Sequence, residues 1–290
     1  MMDLVLNELS FYPCFENIQV AESKFLNFIN TFKKANEIFG IKRVLFPKNI
    51  TNQKITDDLN FVQVLEKIKN KDLQRSLFTF IRPPYLDDLS EEELNAFLES
   101  GYTLIDDNVP TEIEPVGLPV SYIKTIPAIS FDSHLFWRNR KITVRKSSPT
   151  TNENIDFCVY NICLDTDITS QEINEWAEMS MPKFIDSREM LVRYLGFTKY
   201  QAEFTDNFME HFFYWKSNNF DIFKYLLLLM KDIQIHPFTG GMGQTENLKS
   251  RGKEASKRIT NSYPDGDRLS YTVGNNIVTF IACKGHYTFH

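Results

Sequence analysis

The spacing of apolar residues changes along the first two hundred residues, and this change limits the possible folds more than any other feature. Apolar side chains recur every three to four positions across 21–39, as on one face of a helix, and again across 57–80, until Pro83 and Pro84 end the pattern. Three later stretches have the character of strands: 120–131, 141–144 and 155–163. Helices followed by strands predict an α+β fold for this part of the chain.

Several helices in this part are also marked by the residues at their ends. Ser90 precedes three glutamates, which predicts a capped helix with an acidic first turn. Ser170 is expected to cap another helix, and residues 187–195 are expected to form a third helix that ends at Gly196. A polar loop is expected at 147–154, between two of the strands.

The C-terminal part of the chain has a different order of elements. We expect a strand at 197–205, one or two helices at 206–235 and a glycine-rich loop at 240–243. Three strands are expected to follow, at 255–260, 268–273 and 277–283. A tight turn at 274–276 joins the last two strands. This order predicts helices packed on a small antiparallel sheet. The sequence is therefore expected to contain an N-terminal α+β domain, 1–196, and a C-terminal domain, 197–290.

Composition and cysteine usage exclude several classes of protein. The four cysteines form no C-x-x-C pair, so neither a disulfide framework nor a zinc site is expected, and a reducing cytoplasm is the expected location. The chain lacks both a signal peptide pattern and an apolar run long enough for a membrane span. Although the net charge is −6, residues 199–290 contain slightly more Lys and Arg than Asp and Glu. A mildly basic tail on an acidic body favours a polyanion as the partner of the tail.

Five polar residues in the tail have the character of a phosphodiester-cleaving site: Glu246, Lys249, Arg258, Arg268 and His286. RNA cleavage without a metal ion needs a base that takes the proton of the 2′-hydroxyl and cations that stabilise charge on the phosphate. It also needs an acid that protonates the leaving oxygen. A carboxylate, an imidazole and several cations make up this set, so no cofactor and no metal ion are expected.

Each of these residues suits one step of that reaction. Glu246 is a candidate base if the neighbouring lysine and arginine of the cluster keep its carboxylate ionised. His286 is the candidate acid because the pKa of a histidine lies near neutrality. Arg268, together with Arg258, is a candidate for bidentate binding of the phosphate. Tyr287 is a candidate for stacking on a base or orienting it.

The expected hairpin provides a geometric test of this site. If Val273 pairs with Ile277 across the turn, the two residue numbers of each cross-strand pair add up to an even number. Because side chains alternate along a strand, Arg268 and His286, whose numbers also have an even sum, then lie on the same face. A slip of one residue would place them on opposite faces. The other face is expected to point to the core through Leu269, Tyr271, Ile277, Ile281 and Cys283.

Six short motifs occur in order between about residue 199 and residue 287. They are Tyr214-Trp215, His236-Pro237-Phe238, Glu246-x-Leu248-Lys249, Ser256-Lys257-Arg258-Ile259-Thr260, Arg268-Leu269-x-Tyr271 and Cys283-x-x-His286-Tyr287. In this order and spacing, the sequence resembles the YoeB branch of the RelE-type toxins, the ribosome-dependent mRNA endonucleases of bacterial toxin–antitoxin pairs. The resemblance implies a RelE/YoeB-like endoribonuclease domain at 197–290.

The resemblance also assigns roles to the polar residues. Glu246 takes the position of the family's base, His286 that of its acid and Arg268 that of the arginine that stabilises the transition state. Lys249 and Arg258 take positions of positive charge. The implied reaction is transesterification of mRNA in the ribosomal decoding site, which leaves a 2′,3′-cyclic or 3′-phosphate and a 5′-hydroxyl.

The sequence departs from the family pattern in three places. Lys253-Glu254-Ala255 stands where the family has an aromatic pair, the loop before Arg268 is longer and adds Asp265 and Asp267, and three residues follow Tyr287. These departures keep two alternatives to a nuclease open. One is a disarmed module that serves as an interaction surface, and the other is an RNA-binding repressor that does not cleave.

The resemblance implies mRNA and the ribosome as partners, with no role for DNA or for a membrane. Such toxins are normally single small domains, so the acidic N-terminal domain calls for its own function. It is a candidate regulator that covers the basic site in cis and releases it on a trigger such as phage infection. A separate antitoxin is the other candidate regulator.

Overall fold

The structure is a computed structural model that describes residues 2–80, 86–148, 153–196, 198–247, 254–260 and 266–285. The chain divides into two compact units, Met1–Phe184 and Ile185–His290. This division precedes the boundary expected at residue 196 and assigns the helix Arg188–Leu195 to the second unit. Each unit contains a buried apolar cluster of its own. Within the described ranges, no helix is both long and apolar enough to cross a membrane.

In the described residues of the first unit, six strands form one mixed sheet. They are β1 (Asp3–Leu6), β2 (Arg43–Leu45), β3 (Gly101–Leu104), β4 (Ala128–Ile129), β5 (Lys141–Ser147) and β6 (Asn154–Ile162). Their order across the sheet is β2-β1-β4-β6-β5-β3. The first four in that order run parallel, and β5 and β3 add antiparallel ladders at one side. Every residue of β1 is buried, as is usual for a central parallel strand.

Helices occupy the connections between these strands: α1 (Ile18–Phe39), α2 (Phe61–Lys67), α3 (Lys71–Phe80), α4 (Glu91–Leu98), α5 (Gly117–Lys124) and α6 (Gln171–Phe184). Ser90 and Glu93 form a reciprocal capping box at the start of α4, where the sequence predicts a cap. The apolar face of α1 packs on Phe131, whose ring centroid lies 5.1 Å from that of Phe25 and 4.3 Å from that of Phe28.

The α+β class is confirmed, but some local expectations for the first unit are wrong. Residues 120–131 do not form one strand, because α5 takes up their first part and is capped by Thr125, where φ is 55°. Pro119 does not prevent this helix, since it lies in the first turn, where proline is tolerated. The expected helix at 57–80 is two helices, because Ile68, with a ψ of 127°, departs from helical geometry. β1 and β2 are strands that the apolar pattern does not predict.

Other expectations for this region agree with the structure. β5 and β6 occupy the strands expected at 141–144 and 155–163. Ser170 precedes α6, and its hydroxyl accepts a hydrogen bond from the Ile173 amide. Ser147 and Asn154, at the ends of the expected polar loop, pair with each other. The centre of that loop lies outside the described residues, as do Pro83 and Pro84.

In the described part of the second unit, three helices accompany a sheet of five strands. The elements are α7 (Arg188–Leu195), β7 (Gln201–Phe204), α8 (Asp206–Asn218), α9 (Phe220–Ile233), β8 (Thr245–Asn247), β9 (Glu254–Arg258), β10 (Arg268–Gly274) and β11 (Ile277–Ala282). The order across the sheet is β7-β11-β10-β9-β8. β7 runs parallel to β11, and the other neighbours are antiparallel. The sequence predicts helices on a small sheet here but does not predict β8.

The core of the second unit is built from aromatic residues of α8, α9 and the sheet. Phe208 and Phe212 of α8 and Phe223 of α9 are fully buried, and the Phe208 ring lies 5.6 Å from that of Phe280 on β11. Thr205 fixes the start of α8, since its hydroxyl accepts a hydrogen bond from the Phe208 amide at 3.1 Å. Burial of each such ring stabilises the unit by about 1.5 to 3 kcal/mol. An aromatic layer therefore packs against the sheet.

The β10–β11 hairpin has a different register from the expected one. Gly274 pairs with Ile277, and the two turn residues, Asn275 and Asn276, have φ of 52° and 62°. A two-residue turn with positive φ at both positions matches the twist of a hairpin, and asparagine tolerates this geometry. The expected pairing of Val273 with Ile277 is therefore wrong by one residue.

A β-bulge cancels this slip farther along the hairpin. Tyr271 pairs with Phe280, but Ser270 pairs with Ala282, which makes Ile281 the additional residue of the bulge. The residue numbers of each pair add up to an odd number from Gly274 to Tyr271 and to an even number at Ser270. The bulge thus restores the parity of the expected register at Ser270, whereas the next hydrogen bond toward the start of β10 joins the Arg268 amide to the Gly285 carbonyl, a pair with an odd sum.

The core-facing residues of the hairpin change accordingly. Val278 and Phe280 on β11 are fully buried. Ile277 and Ile281, which the sequence places in the core, are partly exposed, so these two expectations are wrong. The other three are confirmed, since each is fully buried: Leu269, Tyr271 and Cys283.

Candidate active site

Three adjacent strands place Glu246, Arg258 and Arg268 on one face of the sheet of the second unit. β8 pairs with β9 so that Glu246 lies opposite Ser256, and β9 pairs with β10 so that Arg258 lies opposite Arg268. Since residues two apart on a strand share a face, Ser256 and Arg258 point to the same side. The alternate residues of β10, such as Leu269, belong to the core on the other side.

The Glu246 carboxylate lies close to both guanidinium groups. Its Oε1 is 3.6 Å from Nη2 of Arg268 and 3.9 Å from Nη2 of Arg258. The Arg268 side chain is 4% exposed, that of Glu246 27% and that of Arg258 42%. The cluster therefore extends from the interior of the sheet to solvent. A phosphate that binds the arginines from the solvent side would also approach the carboxylate.

Several buried polar atoms of this face have no hydrogen-bond partner in the part of the chain that the structure describes. They are Nε of Arg258, Nε of Arg268 and the hydroxyl oxygens of Ser256 and Ser270. The two serines lie opposite each other on β9 and β10, so all four atoms belong to the face that carries Glu246. Unpaired buried donors destabilise a fold, and guanidinium N–H groups bind phosphate oxygens well. This face is therefore suited to an anion.

Arg268 is held in place by hydrogen bonds to segments on both sides of it. Its Nη1 donates to the Gly266 carbonyl at 3.0 Å, and its amide donates to the Gly285 carbonyl at 3.1 Å. Asp267 strengthens this arrangement. Its Oδ1 accepts from the Gly285 amide at 2.8 Å, and its Oδ2 accepts from the Thr260 hydroxyl at 2.9 Å. Asp267 is an acid that departs from the family pattern, and both of its oxygens take part in these structural bonds.

Three of the predicted site residues lie outside the described residues: Lys249, His286 and Tyr287. Asp265, in the longer loop, also lies outside them. Gly285, the residue that precedes His286 in the sequence, is described, and Trp215 donates from Nε1 to the nearby Cys283 carbonyl at 2.7 Å. The roles of the three residues stay predictions.

The opposite face of β9 carries a buried ion pair that the sequence pattern does not single out. Lys257 is fully buried, and its Nζ donates to Oδ2 of Asp232 at 2.6 Å and to the Met242 carbonyl at 2.7 Å. Asp232 also accepts from the Met242 amide at 2.9 Å and lies 3.1 Å from Nδ1 of His236. Burial alone would raise the pKa of Asp232, but the hydrogen bonds from Lys257 and His236 outweigh burial. Its pKa therefore lies below the ordinary value.

The alternation along β9 contains a signal for this pair. Ala255 and Ile259 are buried in the core, and Lys257 lies between them with the same parity. A lysine on a core-facing side needs a buried acidic or carbonyl partner. The sequence alone does not identify that partner as Asp232, because the two are brought together by the packing of α9 on the sheet.

Comparisons with known proteins match the same part of the chain. A family model described as YoeB-like toxin of bacterial type II toxin-antitoxin system matches residues 204–287. A YoeB dimer from Staphylococcus aureus is 30% identical, over 31% of this chain and 100% of its own, with a TM-score of 0.28. A YoeB–YefM complex from Staphylococcus aureus is 31% identical over 31% of this chain and 100% of its own, with a TM-score of 0.27. A YoeB/ParE toxin from Agrobacterium tumefaciens is 22% identical over 30% and 98%, also with a TM-score of 0.27. A comparison with curated proteins finds no match.

Proposed function

Because the chain belongs, through residues 204–287, to the YoeB-like toxin family of bacterial type II toxin–antitoxin systems, we propose that its second unit is an endoribonuclease that cleaves mRNA on the ribosome. The observation that carries the proposal is the position of Glu246, with its Oε1 3.6 Å from Arg268 and 3.9 Å from Arg258. A base beside two cations, one of them buried with an Nε that has no hydrogen-bond partner among the described residues, supplies two of the three functions that RNA transesterification needs.

In the proposed reaction, Glu246 takes the proton of the 2′-hydroxyl while O2′ attacks the adjacent phosphorus. Arg268 and Arg258 bind the non-bridging oxygens and stabilise the charge that develops on them. The bond between phosphorus and O5′ breaks, and His286 gives its proton to the leaving O5′. The products are a 2′,3′-cyclic phosphate, which water opens to a 3′-phosphate, and a 5′-hydroxyl.

Three members of the proposed site are assigned by the family resemblance alone. His286 is the acid, Lys249 adds positive charge, and Tyr287 stacks on a base of the RNA or orients it. None of these assignments requires a cofactor. The proposed place of action is the cytoplasm, where mRNA is translated.

The proposal is tested by mapping the cleavage of a defined mRNA on programmed ribosomes with the full-length protein. We expect fragments with 2′,3′-cyclic phosphate and 5′-hydroxyl ends. Glu246→Gln should lower the rate by about 10²- to 10⁴-fold, the usual contribution of a general base. Glu203→Gln is a matched control, because Glu203 is an exposed carboxylate on β7, at the far edge of the same sheet.

The alternative functions predict different outcomes of the same experiment. Wild-type protein that binds RNA tightly and leaves it intact would support an RNA-binding repressor. Protein that neither binds nor cleaves RNA would support an interaction module. Cleavage that survives in Glu246→Gln at the wild-type rate would refute the assignment of the base.

For the first unit we propose regulation of the second. The support is the distribution of charge, since the net −6 of the chain is concentrated outside the mildly basic segment 199–290. The Staphylococcus aureus YoeB occurs in a complex with YefM, so a separate antitoxin is a second candidate regulator. If the first unit inhibits in cis until a trigger such as infection, residues 185–290 expressed alone should arrest growth more strongly than the full chain. Equal toxicity of the two would rule out inhibition in cis.

A further inference from the structure

The Lys257–Asp232 pair holds the chain a few residues ahead of Glu246. Asp232 lies in the last turn of α9, Lys257 lies on β9, and both bind Met242 in the glycine-rich loop between these elements. The Met242 amide donates to Asp232, and the Met242 carbonyl accepts from Lys257. Both polar backbone groups of one loop residue are thus fixed, four positions before Glu246.

The composition of the loop and the length of β8 constrain the position of these segments only weakly. Gly240, Gly241 and Gly243 have φ of 75°, 71° and 69°, and glycine at such positions adds conformational freedom to the unfolded chain. β8 is a strand of three residues at the edge of the sheet. A strand so short and so polar specifies its own register weakly.

Lys257 contributes to the register of β8 in two ways. It is the cross-strand partner of Thr245, and its side chain binds the Met242 carbonyl on the core side of the sheet. Sliding β8 by one residue along β9 would break the bonds at Met242. It would also turn Glu246 to the opposite face, away from the arginines, because side chains alternate along a strand.

We propose that Lys257 and Asp232 are positioning residues that fix the register of β8 and so direct Glu246 toward Arg258 and Arg268. The effect on cleavage rests on the proposed nuclease function, whereas the effect on β8 does not. Two readouts therefore separate a failure of this inference from a failure of the proposed function.

The first readout is hydrogen exchange of the full chain, followed in peptides that cover 240–247. Lys257→Met removes the ammonium group at similar length. We expect exchange in these peptides to become at least about tenfold faster, while peptides from β10 and β11 remain better protected than they are. Lys257→Arg, which still donates, should restore most of the protection. Unchanged exchange in Lys257→Met would overturn the proposal.

A second pair of variants perturbs the same contact without removing either charge. A Cβ on Gly241 would lie 2.4 Å from the Asp232 carboxylate oxygens, whereas a Cβ on Gly240 would meet no described atom within 4 Å. Both glycines have similar positive φ, so an alanine at either position carries a similar backbone penalty. Gly241→Ala should therefore accelerate exchange in 242–247 more than Gly240→Ala, and equal effects would contradict the proposed role of Asp232.

The second readout is the kinetics of mRNA cleavage on programmed ribosomes. Lys257→Met should lower kcat by about 10- to 100-fold through misplacement of the base, with KM nearly unchanged because the phosphate-binding arginines remain. Met209→Ala, a buried change in α8, serves as a control for lost stability and should keep kcat within about twofold below its unfolding transition. Wild-type kcat in Lys257→Met would overturn the positioning role. An inactive wild type would refute the nuclease function, and the exchange data would still test whether Lys257 and Asp232 fix the register of β8.

Discussion

Replacing Arg268 with methionine is expected to remove activity without a comparable loss of stability. The structure contains a natural comparison, because Arg268 on β10 and Lys257 on β9 are both buried cations. Lys257 donates to Asp232 at 2.6 Å and to Met242 at 2.7 Å. In Arg268, Nη1 donates to a carbonyl, Nε has no partner among the described residues, and the Glu246 carboxylate lies beyond hydrogen-bond distance at 3.6 Å.

The expected magnitudes follow from these contacts. With an effective dielectric constant of about 20, two charges 3.6 Å apart attract by about 4 to 5 kcal/mol. Keeping an ion out of water costs several kcal/mol, so the two effects nearly cancel for Arg268. Arg268→Met should therefore change the free energy of unfolding by about 1 kcal/mol or less in either direction. Lys257→Met leaves the Asp232 carboxylate without its buried partner, and the expected loss is about 3 to 5 kcal/mol.

Thermal unfolding and cleavage kinetics together test this prediction. For a domain of this size, 1 kcal/mol corresponds to a Tm shift of about 4 to 8 °C, so Lys257→Met should lower Tm by at least about 12 °C and Arg268→Met by no more than about 8 °C. At the same time, Arg268→Met should lower kcat by about 10²- to 10³-fold, as the loss of an oxyanion-stabilising donor does elsewhere. A loss of stability in Arg268→Met as large as in Lys257→Met would show that Arg268 is a structural ion-pair partner and would refute the reasoning.

Asp267→Ala removes the acceptor of the Gly285 amide and of the Thr260 hydroxyl, so urea denaturation should show a loss of about 2 to 4 kcal/mol. Thr260→Val keeps the bond to the Gly285 amide but removes the hydroxyl that donates to Asp267 and accepts from its amide, so it should lose about 1 to 3 kcal/mol. The lowered pKa of Asp232 stabilises the fold fully above the unfolded value of about 3.9, and this contribution is lost as the pH falls through the lower folded pKa. The stability difference between wild type and Asp232→Asn should therefore shrink below about pH 4, and a constant difference from pH 6 to pH 2 would contradict the assignment. Phe208→Ala opens a cavity in the aromatic layer and should lower the free energy of unfolding by about 3 to 5 kcal/mol, measured by the same denaturation.

The elements that sequence reasoning predicted well are those with local signals. Ser90 and Glu93 form a capping box within four residues, and Ser187 with Gly196 marks both ends of α7. Such signals need no tertiary structure, because the cap and the helix it starts are neighbours in the chain. The residue types of the candidate site also need no tertiary structure to be recognised, because a carboxylate, an imidazole and several cations are the groups that RNA cleavage requires.

The elements that were missed or misassigned depend on partners far away in the sequence. β8 is a polar stretch of three residues, and it is a strand because β9 pairs with it. α5 has strand-like residues such as Val120, yet it is helical because its buried side packs on the sheet. The intrinsic helix and strand propensities of residues predict the conformation poorly where tertiary packing determines it. The sequence does not single out the Lys257–Asp232 pair for the same reason, since only the folded chain brings Nζ and Oδ2 within 2.6 Å of each other.

The hairpin shows how far the geometry of the site depends on such a non-local feature. With Asn275 and Asn276 as a two-residue turn, the ladder begins one residue out of the expected register. Left uncorrected, that slip would have exchanged the two faces of β11 relative to β10 along the whole hairpin. The bulge at Ile281 pairs Ser270 with Ala282, and farther along the Arg268 amide donates to the carbonyl of Gly285, the residue that precedes His286 in the sequence. The turn thus sets which side chains of β11 form the core, and the bulge shifts the pairing by one residue where the hairpin approaches Arg268.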